Sequence, residues 1–129
     1  MKRDLKSWEA IISHAQVRAK GSLKRNDPIA FAYWKETEAF AVQCAVSYKS
    51  PKMWHMGAFD CVQKAKQSLG QKDYMRSALW YSRAKWFVIL ARANGIVMNP
   101  RKTGVNLKWL EDAEKGVRDA IAQPVAASY

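Results

Sequence analysis

The feature that most constrains this sequence is that it contains a copy of itself. Shifted by 46 residues, the chain places Lys6 on Lys52, Trp8 on Trp54, Ala19 on Ala65, Lys20 on Lys66, Ser22 on Ser68 and Leu23 on Leu69. The register continues with Asp27 on Asp73, Ala32 on Ala78, Trp34 on Trp80, Val42 on Val88 and Ala45 on Ala91, while Arg18 meets Lys64 and Phe40 meets Trp86. These are 11 identities over the 40 positions 6–45, where ordinary composition gives about one in fifteen. A period of this length repeats a supersecondary unit rather than one helix or strand.

Spacing inside the copies says which unit. Leu5, Trp8, Ile12, Ala15, Ala19 and Leu23 recur at three- and four-residue intervals, the stripe of an amphipathic first helix. Asn26-Asp27-Pro28 then offers a capping carboxylate followed by a proline at the first helical position, so a second helix runs to about Tyr48. Ser50-Pro51 repeats the device and opens a third helix, expected to stop at Gly70, where a left-handed residue is easy. Asp73 caps a fourth helix reaching about Asn94, with Gly95 behind it. Residues 95–105 read as a linker around the turn-forming Asn99-Pro100-Arg101-Lys102. A fifth helix begins near Asn106 and ends before Pro124, with Glu111 and Asp112 early, where the helix dipole favours carboxylates.

No segment alternates in the manner of a strand. The expected architecture is therefore an all-α single domain: two tandem helical hairpins at 4–48 and 51–94, the linker, and a C-terminal capping helix at 106–123 that buries Leu110, Val117 and Ile121. At 129 residues such a chain can bury a core without a metal or a disulfide. The repeated tryptophans fill gaps between paired helices, so both pairs are expected inside, with Trp8 and Trp54 in like environments. Asp73-Tyr74, Ala78, Tyr81 and Ala84 also resemble the turn and second helix of a tetratricopeptide hairpin. The resemblance covers about a dozen residues, and that family repeats every ~34 residues with a Leu-Gly pattern that the first helix here lacks. It implies a stack of hairpins and nothing about partners.

Catalytic and metal chemistry find little support. His14, His55, Cys44 and Cys61 show none of the spacings that close a metal site, and two cysteines make no disulfide framework. No Gly-framed serine elbow or Gly-rich phosphate loop exists, and Glu36 and Glu38 point to opposite sides of a helix. The expectation is a non-enzyme without a cofactor. The N-terminus leads into an amphipathic segment rather than a secretory signal, and the apolar run from Trp86 to Met98 is too short to span a bilayer. A cytoplasmic protein that does not enter the membrane is expected.

Charge points to a partner. Twenty-two Lys and Arg against 11 Asp and Glu give a formal net charge of +11, which opposes a compact state unless a polyanion uses it. The excess sits in residues 1–25, at +5, and 51–108, at +9. Lys6 and Lys20 would lie about 40° apart on one continuous helix, and Lys52 and Lys66 repeat the arrangement. With Arg18 and Lys64, they could form two rows facing a phosphate backbone if the hairpins stack as in solenoids.

On the fourth helix Arg76, Trp80, Arg83 and Phe87 share a sector of about 60°, an arrangement that suits stacking on single strands. A second stripe of Met75, Leu79, Trp86, Leu90 and Ala93 suggests that this helix is covered on two sides. Trp80 and Phe87 then read as core, with the arginines at the rim. Arg101 and Lys102 form a third basic candidate at the linker tip. The acidic fifth helix could fold against a basic one as an electrostatic lid.

These features imply a small nucleic-acid-binding module, for DNA or RNA, reading backbone more than sequence. The alternative is a helical adaptor or inhibitor docking on an acidic protein surface, a role that also fits an accessory protein of a phage or other mobile element.

Overall fold

Each copy of the repeat begins where a side chain can cap a helix. The computed structural model of the protein describes residues 5–96 and 107–122. Ser7, extended at φ −145°, accepts a hydrogen bond from the Ala10 N–H and starts α1 (Trp8–Lys24). Asp27 accepts from Ala30 N at 3.1 Å and starts α2 (Pro28–Ser47). Ser50-Pro51 opens a short 3₁₀ turn, Pro51–Met53, which feeds α3 (Trp54–Gly70). Asp73 accepts from Arg76 N at 3.2 Å and precedes α4 (Tyr74–Ala93). α5 (Leu107–Ala122) follows. Among the described residues there is no strand, and no helix is long and apolar enough to cross a membrane.

The helix limits obey the 46-residue shift at all four ends, and so does the turn inside each hairpin. Asp27 N donates to Ser22 O and Asp73 N to Ser68 O, both at 2.9 Å. Asn26 and Lys72, equivalent by the shift, are the left-handed residues, at φ 57° and 61°. The third helix does end at Gly70, but the left-handed step falls two residues later. Each turn needs it just before the capping aspartate, whichever residue stands there.

α1 packs closely along α2, and α3 is joined to α4 by the Ser77 hydroxyl, which donates to Ala65 O at 2.9 Å. The all-α pair of hairpins expected from the repeat is what the structure shows.

The chain clusters into two compact units, whose described parts are residues 5–54 with 89–96, and 55–88 with 107–122. In the first unit the buried stripe of α1 is Trp8, Ile11, Ala15, Ala19 and Ser22. It passes through Ile11 and Ser22 where the spacing suggested Ile12 and Leu23; Leu23 is exposed. A serine can take the inner place because its hydroxyl donates to Arg18 O, at 2.9 Å. The Trp8 ring meets Phe40 edge-on at 6.2 Å. The indole N–H groups of Trp8 and Trp54 both donate to one acceptor, Tyr48 O, at 3.1 and 2.9 Å. Both repeat-matched rings are buried, but they reach Tyr48 O from opposite sides in sequence, Trp8 from 40 residues before it and Trp54 from 6 residues after it.

In the second unit Phe87 is fully buried and lies directly on Gly57. α5 packs on α4: the rings of Trp109 and Tyr81 meet edge-on at 5.8 Å, and Lys85 reaches Glu114 at 3.4 Å. Leu110 and Val117 are buried, as the capping role requires. The Ile121 side chain, Asn106 and the linker tip lie outside the described residues.

Candidate nucleic-acid interface

The basic residues divide into an aromatic-supported cluster and a dispersed set. The cluster belongs to the second hairpin. On α4, Arg83 stands three residues after Trp80 and so shares its side of the helix. Its guanidinium carbon sits 4.5 Å from the Trp80 ring centroid. Lys64 reaches the same ring from α3, its Nζ at 4.6 Å. Both distances are within the range where a ring quadrupole attracts a cation.

Trp80 is half-buried, not part of the fully buried core, whereas Phe87 is. The ring's size fills the flank of the hairpin while its π-face holds two cations near solvent. Arg76, one turn earlier, is exposed and pairs with the cap residue Asp73 at 3.5 Å.

In the first hairpin the equivalent ring, Trp34, is also half-buried, but its edge contacts are to His14 at 5.4 Å and Tyr33 at 4.9 Å. Thr37 takes the place of Arg83 and is buried, donating to Tyr33 O. The Arg83 position of the cluster therefore has no cationic counterpart in the first hairpin.

The dispersed set is Lys6, Arg18, Lys20, Lys52 and Lys66, all exposed. The side chains of Arg18, Lys20, Lys52 and Lys66 form no ion pair with any described residue. The 40° spacing of Lys6 with Lys20 does not survive, because Lys6 precedes the Ser7 cap and lies outside α1. Lys52, likewise, is in the 3₁₀ turn before α3. A helical angle has no meaning across a cap. Arg101 and Lys102 lie outside the described residues.

The soft ligands are placed as packing residues. Cys44 and Cys61 are both buried and are not joined in a disulfide. Burial pushes the Cys61 thiol up to about 12, against the smaller opposing pull of Arg83 and Lys64, so it carries no thiolate at neutral pH. Among the described residues no group of three or more His, Cys, Asp and Glu could hold a metal ion.

One feature escaped the reading of the sequence: a groove of about 360 Å³ between α1 and α2, lined by Gln16, Lys20, Leu23, Phe31, Lys35 and Glu38. Glu38 is fixed there by Lys35 Nζ at 2.9 Å and Gln16 Nε2 at 2.8 Å, and these two bonds hold its carboxyl below the usual range. The signal for it was present in the repeat, where Gln16, Lys35 and Glu38 stand opposite Val62, Tyr81 and Ala84. Compared with models of known protein families, with curated protein sequences and with solved structures, the chain shows no significant match to any.

Proposed function

We propose that the protein binds nucleic acid, chiefly through phosphate contacts, in the cytoplasm and without catalysing a reaction. The observation that carries this reading is the set of exposed cations at Arg18, Lys20, Lys52 and Lys66 that no described carboxylate neutralises, in a chain of net charge +11. Cations left to solvent raise the local concentration of a polyanion and release its counterions on binding.

The Lys64–Trp80–Arg83 cluster supports a second element of the reading. A ring flanked by two cations offers an unpaired base a flat surface beside charge that neutralises its phosphate. Arg76 extends the cluster by one turn of α4. The buried, protonated Cys61 fits a binding role rather than nucleophilic chemistry.

Titration of labelled single-stranded and duplex oligonucleotides over a range of salt tests the proposal. The logarithm of the binding constant is expected to fall with the logarithm of salt, with a slope of about −0.9 per phosphate on duplex DNA or about −0.7 on single strands. Changing Lys6, Lys20, Lys52 and Lys66 together to Gln should flatten that slope while the melting temperature holds, because all four are exposed. A wild type that binds neither DNA nor RNA at low salt removes the reading.

A further inference from the structure

One backbone oxygen gathers basic side chains at one end of the first unit. Tyr48 is the C-cap of α2, so its carbonyl lies past the helical ladder and accepts the indole N–H groups of Trp8 and Trp54 instead. Asn94, just past α4, adds a third link by donating its side-chain amide to Lys6 O at 2.8 Å. Residues 6–8, 48–54 and 92–94, far apart along the chain, are thereby held together within the first unit.

Each stretch brings cations. Lys6 is itself an acceptor in this set of bonds, Lys49 follows Tyr48, Lys52 stands two residues before Trp54 and Arg92 two before Asn94, so each Cα lies within about 7 Å of that of a bonded residue. All four side chains are exposed. Those of Lys49, Lys52 and Arg92 form no ion pair with a described residue, and the only described carboxylate within three residues of these stretches, Glu9, is exposed and forms none either. Four positive charges there face one negative.

Helix dipoles account for half of this. Arg92, in the last turn of α4, and Lys49, after α2, stand at negative helix ends, which favour cations. Lys6 and Lys52 stand ahead of helix N-termini, whose positive ends oppose them, and the 46-residue shift puts this unfavourable placement in both copies. A bound phosphate removes the conflict, because helix N-termini and lysines both attract it.

We propose that the phosphate backbone of the nucleic acid seats on this end of the first unit, with Lys6, Lys49, Lys52 and Arg92 as the contacting side chains. The inference rests on the nucleic-acid reading above and gives it a place, adding Lys49 and Arg92, which the sequence pattern did not single out. Trp8 and Trp54 are buried with their N–H groups committed to Tyr48, so they offer no base a stacking surface. Contact here runs through charge.

Two variants of equal charge test the proposal: Lys6, Lys49, Lys52 and Arg92 together changed to Gln, and Arg18, Lys20, Lys24 and Lys66 together changed to Gln, all eight residues being exposed. Each is melted and is titrated with a labelled DNA duplex over a range of salt. The first variant is expected to lose at least about tenfold in affinity and to flatten the salt slope by about 0.9 for each phosphate contact removed. The second should lose distinctly less, and both should melt as the wild type does. On the wild type itself, amide shifts on adding the duplex should concentrate at residues 6–9, 48–54 and 90–95.

Equal losses in the two variants, or a larger loss in the second, overturn the proposal and leave the nucleic-acid reading standing. Shifts centred on other residues do the same, whether or not the first variant folds. A wild type that binds neither DNA nor RNA at low salt overturns both.

Discussion

The two hairpins have one backbone and two interiors. Their helices start and stop at positions 46 apart, their turns use the same hydrogen bonds, and their aspartates cap the same N–H groups. Inside, the volumes are exchanged. The first hairpin buries Ile11 on α1 and Ala41 on α2; the second puts Gly57 and Phe87 at the equivalent positions, with the ring pressed onto the glycine. One copy is large then small, the other small then large. What the duplication preserves is the sum of the volumes, the quantity that close packing constrains.

The strongest way to break this comparison is to move one member of a pair alone. Phe87→Ala should cost about 3–5 kcal/mol, the usual loss for an emptied ring site. Gly57→Ile should also destabilise, since even a Cβ at that position would lie 2.5 Å from the Phe87 ring. The double variant Gly57→Ile/Phe87→Ala recreates the first hairpin's pair and should lose much less than the sum of the two. Urea unfolding of the three proteins measures this, and additive losses would show that the pairs are not interchangeable.

A smaller effect separates Cys61 from its counterpart Ala15. The folded-state thiol is raised from 9.0 to about 12, so the folded chain keeps a proton that the unfolded chain gives up in between. The sign follows: this contribution is fully present below pH 9 and is lost as pH rises from there toward 12, by roughly 1.4 kcal/mol per unit at most. Cys61→Ala should remove that part of the alkaline loss, leaving a shallower decline in melting temperature above pH 9.

The caps should respond alike. Asp27→Ala and Asp73→Ala are each expected to cost about 1 kcal/mol, the exposed Asp73–Arg76 ion pair adding little to the second, and a clear inequality between the two melts would mean that the turns differ in energy despite matching cap bonds. The smallest effect concerns the left-handed residues. Lys72→Gly should stabilise by a few tenths to about 1 kcal/mol by relieving a side chain that disfavours positive φ, and Asn26→Gly by less, because asparagine tolerates this conformation. Thermal melts of the two variants measure the difference.

How much of this was legible in the sequence depends on scale. The repeat, the capping aspartates and the helix limits could be read because each rests on local chemistry carried by few residues. The inner stripe of α1 was displaced by one position toward Ile11 and Ser22, since apolarity alone does not reveal that a serine can satisfy its hydroxyl on Arg18 O. The lysine rows were drawn on helices longer than Ser7 and the 3₁₀ turn allow. Trp80 read as core because it matches Trp34; its two cations come from different helices, so only the tertiary structure brings them to one ring. The groove was written in the departures from the repeat, which count as noise when only identities are scored.

The single acceptor at Tyr48 bears on copy number. An oxygen with two lone pairs that already receives Trp8 and Trp54 has no capacity for a third indole. The next position in register with Tyr48 is Asn94, whose side-chain amide donates back to Lys6 O at 2.8 Å, ahead of the first helix. The residue in register with Trp54 is Pro100, which has neither an indole nor a backbone N–H to give. At this point in the sequence the 46-residue register therefore ceases to supply the indole that Trp8 and Trp54 each bring to the shared carbonyl.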